Sequence, residues 1–422
     1  MTCPHANRPV PHDSYGQVPS GPIVLDPLVT DLAAETAALR AAGPLARVEL
    51  PGGVPCYAVT HHAEARQLLT DARLVKDINV WGAWQRGEVP LDWPLIGLAN
   101  PGRSMLTADG PEHRRLRSLV AQALTVRRVE RLRTRIEELT TGLLDRLAEH
   151  DPAEPVDLKA EFAYLLPMSV ISELMGVDSA DHPWLKSQYE KFFSTQTPRD
   201  EVGKMIADLK TFFAGIVEDK RANPGNDLTS AMIEASEDGD RLTPDEIAQT
   251  LQLMVTAGHE TTISLIVNAV RALATHPGQR ELLRDGTITW QDVIEETLRW
   301  STPTSHVLVR FATEDIAVGD TVLPEGEALI VSFAAIGRDE TQHGPTADTF
   351  DATRTPNRHI SFGHGPHVCP GAALSRLEAE VALPALFARF PDLALAVPDA
   401  ELRNKPVVTQ NDLYDLPVRL GG

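Results

Sequence analysis

The sequence predicts a mainly α-helical fold carrying small β-sheets. Three observations predict it. Apolar residues recur at spacings of three and four along most of the chain, the period of a helix with one buried face. Alternating apolar patterns broken by turn residues are confined to two short stretches. No Gly/Ser-rich linker, internal repeat or low-complexity tract divides the 422 residues. One large domain spanning residues 21–422 is therefore expected.

The elements follow in order. Residues 1–20, MTCPHANRPVPHDSYGQVPS, lack the apolar core of a signal peptide and read as a flexible lead. ARVELPGGVPCYAVT carries the first strand signals. HRRLRSLVAQAL and VERLRTRIEELTTGLLDRLAEH, within 110–148, are amphipathic helices, and 156–176 and 200–221 read the same way. Thr243-Pro244-Asp245-Glu246 opens the clearest helix. Thr243 can cap it, Pro244 suits its first position and Glu246 completes a capping box. The pattern continues through LMVTAGHETTISLIVNAVRALATH, apolar on nearly all sides, as in a helix buried at the centre of a large fold. Strand signals return within 306–333, as VLVRFA, IAVG, TVLPEG and ALIVSFAA. AALSRLEAEVALPALFARF, at 372–390, is the last amphipathic helix.

Composition excludes several function classes. Lys plus Arg is 39 and Asp plus Glu is 59, a formal net charge of −20. That argues against a general nucleic-acid or anionic-membrane binder. Three cysteines, Cys3, Cys56 and Cys369, are too few for a disulfide-built fold or a four-thiolate metal site. No apolar run approaches the roughly 20 residues needed to span a bilayer. A cytoplasmic protein is expected.

The most informative segment is Phe362-Gly363-His364-Gly365-Pro366-His367-Val368-Cys369-Pro370-Gly371. Its three glycines imply unusual backbone conformations or close approach by something flat or bulky. Cys369 stands at the start of the following helix, where the dipole and free N–H groups stabilise a thiolate. A buried structural cysteine needs neither feature. A nucleophilic cysteine with a histidine base is the other chemical reading, with His367 two residues away.

The pattern FGxGxHxCxG resembles the haem-ligand loop of the cytochrome P450 family, and the resemblance extends over residues 20–420. It implies the P450 fold, a single large haem-enclosing domain. It implies haem b (iron protoporphyrin IX) as cofactor, with Cys369 as the axial thiolate, a ligand known in this family for favouring O–O cleavage. Phe362, Gly363 and Gly371 of the loop become expected haem contacts.

Three further motifs fit the resemblance. Glu296-Thr297-Leu298-Arg299 puts Glu296 and Arg299 on one helix face. It looks like the family's E-x-x-R, whose structural partner is expected at Arg354. Ala257-Gly258-His259-Glu260-Thr261-Thr262 lies midway along the buried helix. A helical glycine costs about 1 kcal/mol relative to alanine, and a buried acid is costly unless it has a task. The resemblance makes this an oxygen groove. Gly258 lets a ligand approach the backbone beside Ala257, which faces the haem, Thr261 hydrogen-bonds dioxygen and Glu260 relays protons. His113 and Arg117, four apart on one face, resemble the propionate-binding pair, with Arg310 and His367 as further propionate partners.

Pro370 departs from the family pattern, because proline has no N–H to offer the sulfur. Either the thiolate is more electron-rich, with a lowered haem potential, or neighbouring amides compensate. Residues 103–135 hold nine arginines against the acids Asp109, Glu112 and Glu130, a local inversion in an acidic chain. By resemblance this face lies on the thiolate side and would steer an acidic ferredoxin. The chain ends soon after the haem region, so electrons are expected from separate proteins, a ferredoxin and its NAD(P)H-dependent reductase.

For the substrate pocket, Trp81, Trp84 and Trp93 are expected in a loop over the distal side, where aromatic walls suit a flat guest. Leu253, Thr256 and Ala257 should face the haem from the long helix, His306 and Val307 from the side, with residues 410–413, Asn411 and Leu413 among them, closing the pocket. The function implied is hydroxylation of a polycyclic or aromatic small molecule by dioxygen and two electrons. The alternatives are radical cross-linking of aromatic groups and, from another class, a haem-bound sensor without turnover.

Overall fold

In the computed structural model, residues 21–237 and 242–421 are described, so the lead at 1–20, including Cys3, lies outside the described residues. The long helix runs from Pro244 to Thr275 and is the axis of the molecule. Both halves of the predicted capping box are present, with the Thr243 hydroxyl accepting from the Glu246 amide and the Glu246 carboxylate accepting from the Thr243 amide. Ile263, Leu265, Ile266, Val267, Ala269 and Val270 are all fully buried, which explains why the pattern is apolar all round. Helices Leu165–Met175, Arg199–Ala222 and Ala372–Arg389 pack against this axis.

The predicted stretch 110–148 forms three helices, Gly110–Ala123, Val126–Glu130 and Arg133–Leu147. The predicted 200–221 helix is Arg199–Ala222. Residues 156–176 are not one helix: strand Val156–Asp157 and a π-helical turn at Lys159–Ala163 precede Leu165–Met175. Two strand clusters far apart in sequence form one six-stranded sheet. Its strands lie in the order Ile23–Val24, Leu45–Leu50, Val54–Val59, Ala328–Ser332, His306–Ala312 and Leu74–Val75. The seam is parallel, with Tyr57 opposite Leu329 and Val59 opposite Val331. One large core cluster joins sheet and helices. Among the described residues no helix is long and apolar enough to cross a membrane.

Candidate active site

The long helix separates two cavities. Successive helical residues point about 100° apart, and Glu260 and Thr261 divide accordingly. Thr261 lines the first cavity with Leu253, Thr256 and Ala257, and its hydroxyl donates to the Ala257 carbonyl at 3.0 Å. Glu260, only 6% exposed, lines the second cavity. Burial alone would raise its pKa. The contact with His259 and the charges of Lys405 and Lys159 overcome that and hold it at about 2.

Gly258 lies in neither lining. A Cβ there would stand 2.9 Å from Ile171 Cδ1. A side chain here would force Ile171 to shift, so helix packing favours this glycine, a reason the sequence reading did not supply.

The Cys369 loop is tightly bonded to itself. The Cys369 amide donates to Phe362 O at 2.8 Å, and the Gly363 amide to Ile360 O at 2.7 Å. Gly365 has φ +75°, and a Cβ there would lie 2.7 Å from Leu69 O. Cys369 is a free, exposed cysteine. Burial among surrounding atoms raises its thiol pKa, while the amides of Gly371 and Ala372 and the charges of Arg117 and Arg376 oppose that rise. Of the amides after Cys369, those of Gly371 and Ala372 oppose the rise, Pro370 having no N–H to give. Arg376 also stacks on the Phe362 ring, 4.5 Å from its centre.

Beside the loop lies a buried basic rim. The rings of His113 and His367 stack with centres 4.2 Å apart, and His367 Nε2 is 3.5 Å from Asp109 Oδ1. Burial, then the charges of His367 and Arg117, lower the His113 pKa to about 4. His113 Nε2 is buried without a hydrogen-bond partner. Arg310 is 7% exposed, its guanidinium has no hydrogen-bond partner among the described residues, and burial lowers its pKa to about 10. A buried guanidinium is costly unless an anion pairs with it. Two carboxylates of a haem fit this donor set, and the accessible Cys369 thiol fits its iron.

Arg117 differs from its expected place. It donates to Pro366 O at 3.1 Å and to Val368 O, bracing the loop just before Cys369. One helical turn beyond His113 carries it past the rim. Sequence reasoning missed Lys76. Its amide donates to Asp109 Oδ2 at 2.7 Å, its Nζ donates to Val309 O at 3.2 Å, and burial pushes its pKa well down. No local signal marks Lys76, because strand pairing of Leu74–Val75 with Phe311–Ala312 brings it beside Arg310.

The E-x-x-R pair is fully buried. Arg299 meets both Glu296 oxygens, at 2.7 and 2.6 Å, and donates to the carbonyls of Gly337, Ala347 and Thr349. Arg354 Nε lies 3.6 Å from Glu296, the expected third member. Asn357, unforeseen, donates to the same carboxylate at 3.0 Å.

The first cavity corrects several pocket expectations. Leu253, Thr256, His306 and Val307 line it, although His306 turns its Nε2 to Glu35 at 3.1 Å. The tryptophans do not line it. Trp81 and Trp93 are buried core residues, and Trp93 Nε1 donates to Pro51 O at 2.7 Å. Trp84 packs on the same core. Their loop is anchored by its aromatics, and the wall is built instead by the following stretch, Gly97 to Leu106, with Phe192 and Phe193. Asn411 and Leu413 are also displaced from it. Asn411 donates to Ser301 Oγ at 2.9 Å and Leu413 is in the core, while Gln410, from the expected 410–413 stretch, and Thr409 before it face the cavity.

The family profile of cytochrome P450 matches residues 182–285 and 289–416. The chain is 39% identical over 402 residues to 2-hydroxy-5-methyl-1-naphthoate 7-hydroxylase of Streptomyces carzinostaticus, covering 95% of this chain and 98% of that protein. It resembles the structure of CYP154C4 from Streptomyces sp. W2061, with 72% identity, TM-score 0.94 and coverage of 95% and 98% of the two chains. A testosterone-bound CYP154C4 from Streptomyces sp. ATCC 11861 matches at 74% identity and TM-score 0.94, over the same shares. The fold, the thiol loop and these similarities converge: the chain belongs to the cytochrome P450 family and is a P450 monooxygenase.

Proposed function

We propose that this monooxygenase hydroxylates a flat polycyclic molecule of the steroid class, with electrons from an acidic ferredoxin and its NAD(P)H-dependent reductase. The observation that carries the substrate reading is the first cavity. Leu98, Leu106, Phe192, Phe193, Leu253 and Val307 give it apolar walls, and Gln249, Gln252, Thr304 and Thr409 add a few polar groups. Such a lining suits an apolar guest with oxygen functions at its ends. The testosterone-bound relative at 74% identity supports the same class.

Within this reading each residue has a task. Cys369 ligates the haem iron, and His113, Arg310 and His367 hold the propionates while Arg117 braces the loop. Phe362, Gly363, Gly371 and Ala257 shape the surface against the cofactor. Haem bound by a thiolate supplies the chemistry that activates dioxygen for insertion into a C–H bond. The stoichiometry is substrate, dioxygen, two electrons and two protons to alcohol and water. Glu260 receives each proton on one side of the long helix, and Thr261 presents its hydroxyl on the other.

Electron delivery falls to the arginines that have no acidic partner. Arg103, Arg115, Arg133 and Arg135 already pair with Glu112, Glu246, Glu130 and Glu173. Arg114, Arg127, Arg128 and Arg131 have no ion pair among the described residues, and Val126 beside them is 75% exposed. A basic ring around an apolar contact suits a small acidic redox protein.

The test is spectral titration of the ferric protein with steroids, flavonoids, macrolides and tyrosine- or tryptophan-containing peptides. A steroid is expected to shift the haem to high spin and, with ferredoxin, to yield a product bearing one added oxygen atom. Silence with every steroid beside a shift with aromatic peptides would overturn it in favour of cross-linking.

A further inference from the structure

Among the described residues, the first cavity has one titratable side chain in its lining, His306. Its strand, His306–Ala312, pairs with Ala328–Ser332, and His306 stands opposite Ser332. The preceding residue, Ser305, donates its amide to Thr409 O at 3.1 Å, which ties the start of the strand to the C-terminal loop on the same wall. The imidazole is only 1% exposed. A polar ring taken out of water is costly unless its nitrogens find partners.

One of the two nitrogens has a partner. His306 Nε2 lies 3.1 Å from Glu35 Oε1. Glu35 stands in the first turn of helix Leu32–Ala41, where the helix N-terminus favours an acid, and 271 positions before His306. Its other oxygen accepts the Asp26 amide at 2.7 Å. The carboxylate is thus held at both oxygens. A carboxylate only accepts, so Nε2 carries a hydrogen. His306 Nδ1 is buried with no hydrogen-bond partner. In the neutral ring it is a bare lone pair. A doubly protonated ring would instead bury a charged N–H with no acceptor, which costs more than an unpaired lone pair.

The other polar groups of the lining do not distinguish a donor from an acceptor. Gln249, Gln252 and Gln410 each present a carbonyl and an NH₂, and the hydroxyls of Thr304 and Thr409 rotate to suit. His306 has its hydrogen pinned on the far nitrogen by Glu35, so it offers an acceptor and nothing else. An alcohol can donate to it and a ketone cannot.

We infer that His306 is the specificity-determining residue of the pocket, selecting a polycyclic substrate with a hydroxyl rather than a ketone at the end against strand His306–Ala312, and that Glu35 is the positioning residue that fixes the imidazole tautomer. The inference deepens the steroid-class reading proposed above and rests on it. No covalent bond changes in this contact. The substrate O–H donates to Nδ1, and the Nε2 hydrogen stays directed at Glu35.

The test uses the ferric holoenzyme and three closely similar steroids. Testosterone has a ketone at one end and a hydroxyl at the other. Androstenedione has a ketone at both ends, and dehydroepiandrosterone has the hydroxyl and ketone exchanged end for end. Dissociation constants are read from the shift to high spin, and the Soret band of each variant shows that haem is bound. The parent is expected to bind one of the two alcohols about tenfold tighter than the diketone, as when a buried acceptor is paired rather than left unpaired. The quantity compared is that ratio, in which a general weakening of binding cancels. His306→Leu removes the acceptor and should bring the ratio near one. His306→Asn should do the same, because an amide can turn either end to the guest. Glu35→Gln should lower the ratio as well, since its NH₂ can donate to Nε2 and let the hydrogen move to Nδ1. Val307→Ala alters the same wall without touching the imidazole and should keep the ratio.

Equal binding of alcohols and diketone by the parent, or a ratio kept in His306→Leu, would overturn the assignment. So would an equal fall in Val307→Ala, which would make wall shape the cause. A parental preference for the diketone would overturn it by showing that Nδ1 donates. A parental ratio in Glu35→Gln alone would strike Glu35 from the pair. Failure of all three steroids to bind would overturn the steroid reading and this one together.

Discussion

Gly258 is fixed by a neighbour that no sequence spacing reveals. Its missing Cβ would stand 2.9 Å from Cδ1 and 3.0 Å from Cγ1 of Ile171, a residue of helix Leu165–Met175. Gly258→Ala should therefore destabilise the protein by about 1–3 kcal/mol, the usual cost of overpacking. In an Ile171→Ala background the clashing atoms are gone, and the cost should largely vanish in a double-mutant cycle read by urea unfolding. An equal cost in both backgrounds would return the glycine to a ligand-approach role. The residues whose setting was legible from sequence were those with local surroundings. Cys369 needs its own loop and helix start, and Glu296 and Arg299 need only one turn of helix. Lys76, Asn357 and Thr409 were illegible, because long-range pairing or loop placement sets their positions.

At the scale of elements, period-three-and-four patterns located most of the helices, and the capping residues located the start of the long one. Breaks inside a periodic stretch were harder. The π-helical turn at Lys159–Ala163 interrupts 156–176 without Gly or Pro to signal it. The tryptophan loop misleads because aromatics can anchor a loop as readily as line a wall, and only tertiary packing decides. The arginine-rich helices make a separate prediction. Reversing Arg127, Arg128 and Arg131 to Glu should slow ferredoxin association at least tenfold at low salt, with the difference shrinking as ionic strength rises. Arg135→Gln should change the rate little, since Glu173 and Glu138 already engage that guanidinium. Stopped-flow reduction across a salt series measures both.

Across the whole molecule, buried histidines set the response to acid. Burial lowers the pKa of His62, His182 and His343, with His343 at about 3. Below the ordinary imidazole value near 6.5 the unfolded chain binds more protons than the folded one. The free energy of unfolding therefore rises with pH through that window and falls on acidification. Stability should begin to drop below about pH 6.5, before carboxylates such as Glu295, held at about 2 by His359 and Arg376 against the raising effect of burial, start to titrate. His343→Gln should flatten the slope between about pH 6.5 and 3, measured as the urea midpoint against pH. An unchanged slope would remove His343 from the response.

The parallel seam between Val54–Val59 and Ala328–Ser332 also fixes a timetable. A ribosome adding about 5–20 residues per second needs roughly 15–55 seconds to travel from one strand to the other. For that interval the nascent chain carries an unpaired edge rich in Val and Ala, which invites pairing with other chains. The cofactor enclosure waits longer still, since Cys369 follows the second strand by more than thirty residues. Recovery of intact enzyme from a cell should thus depend on protecting the half-made chain as much as on the strength of the finished fold.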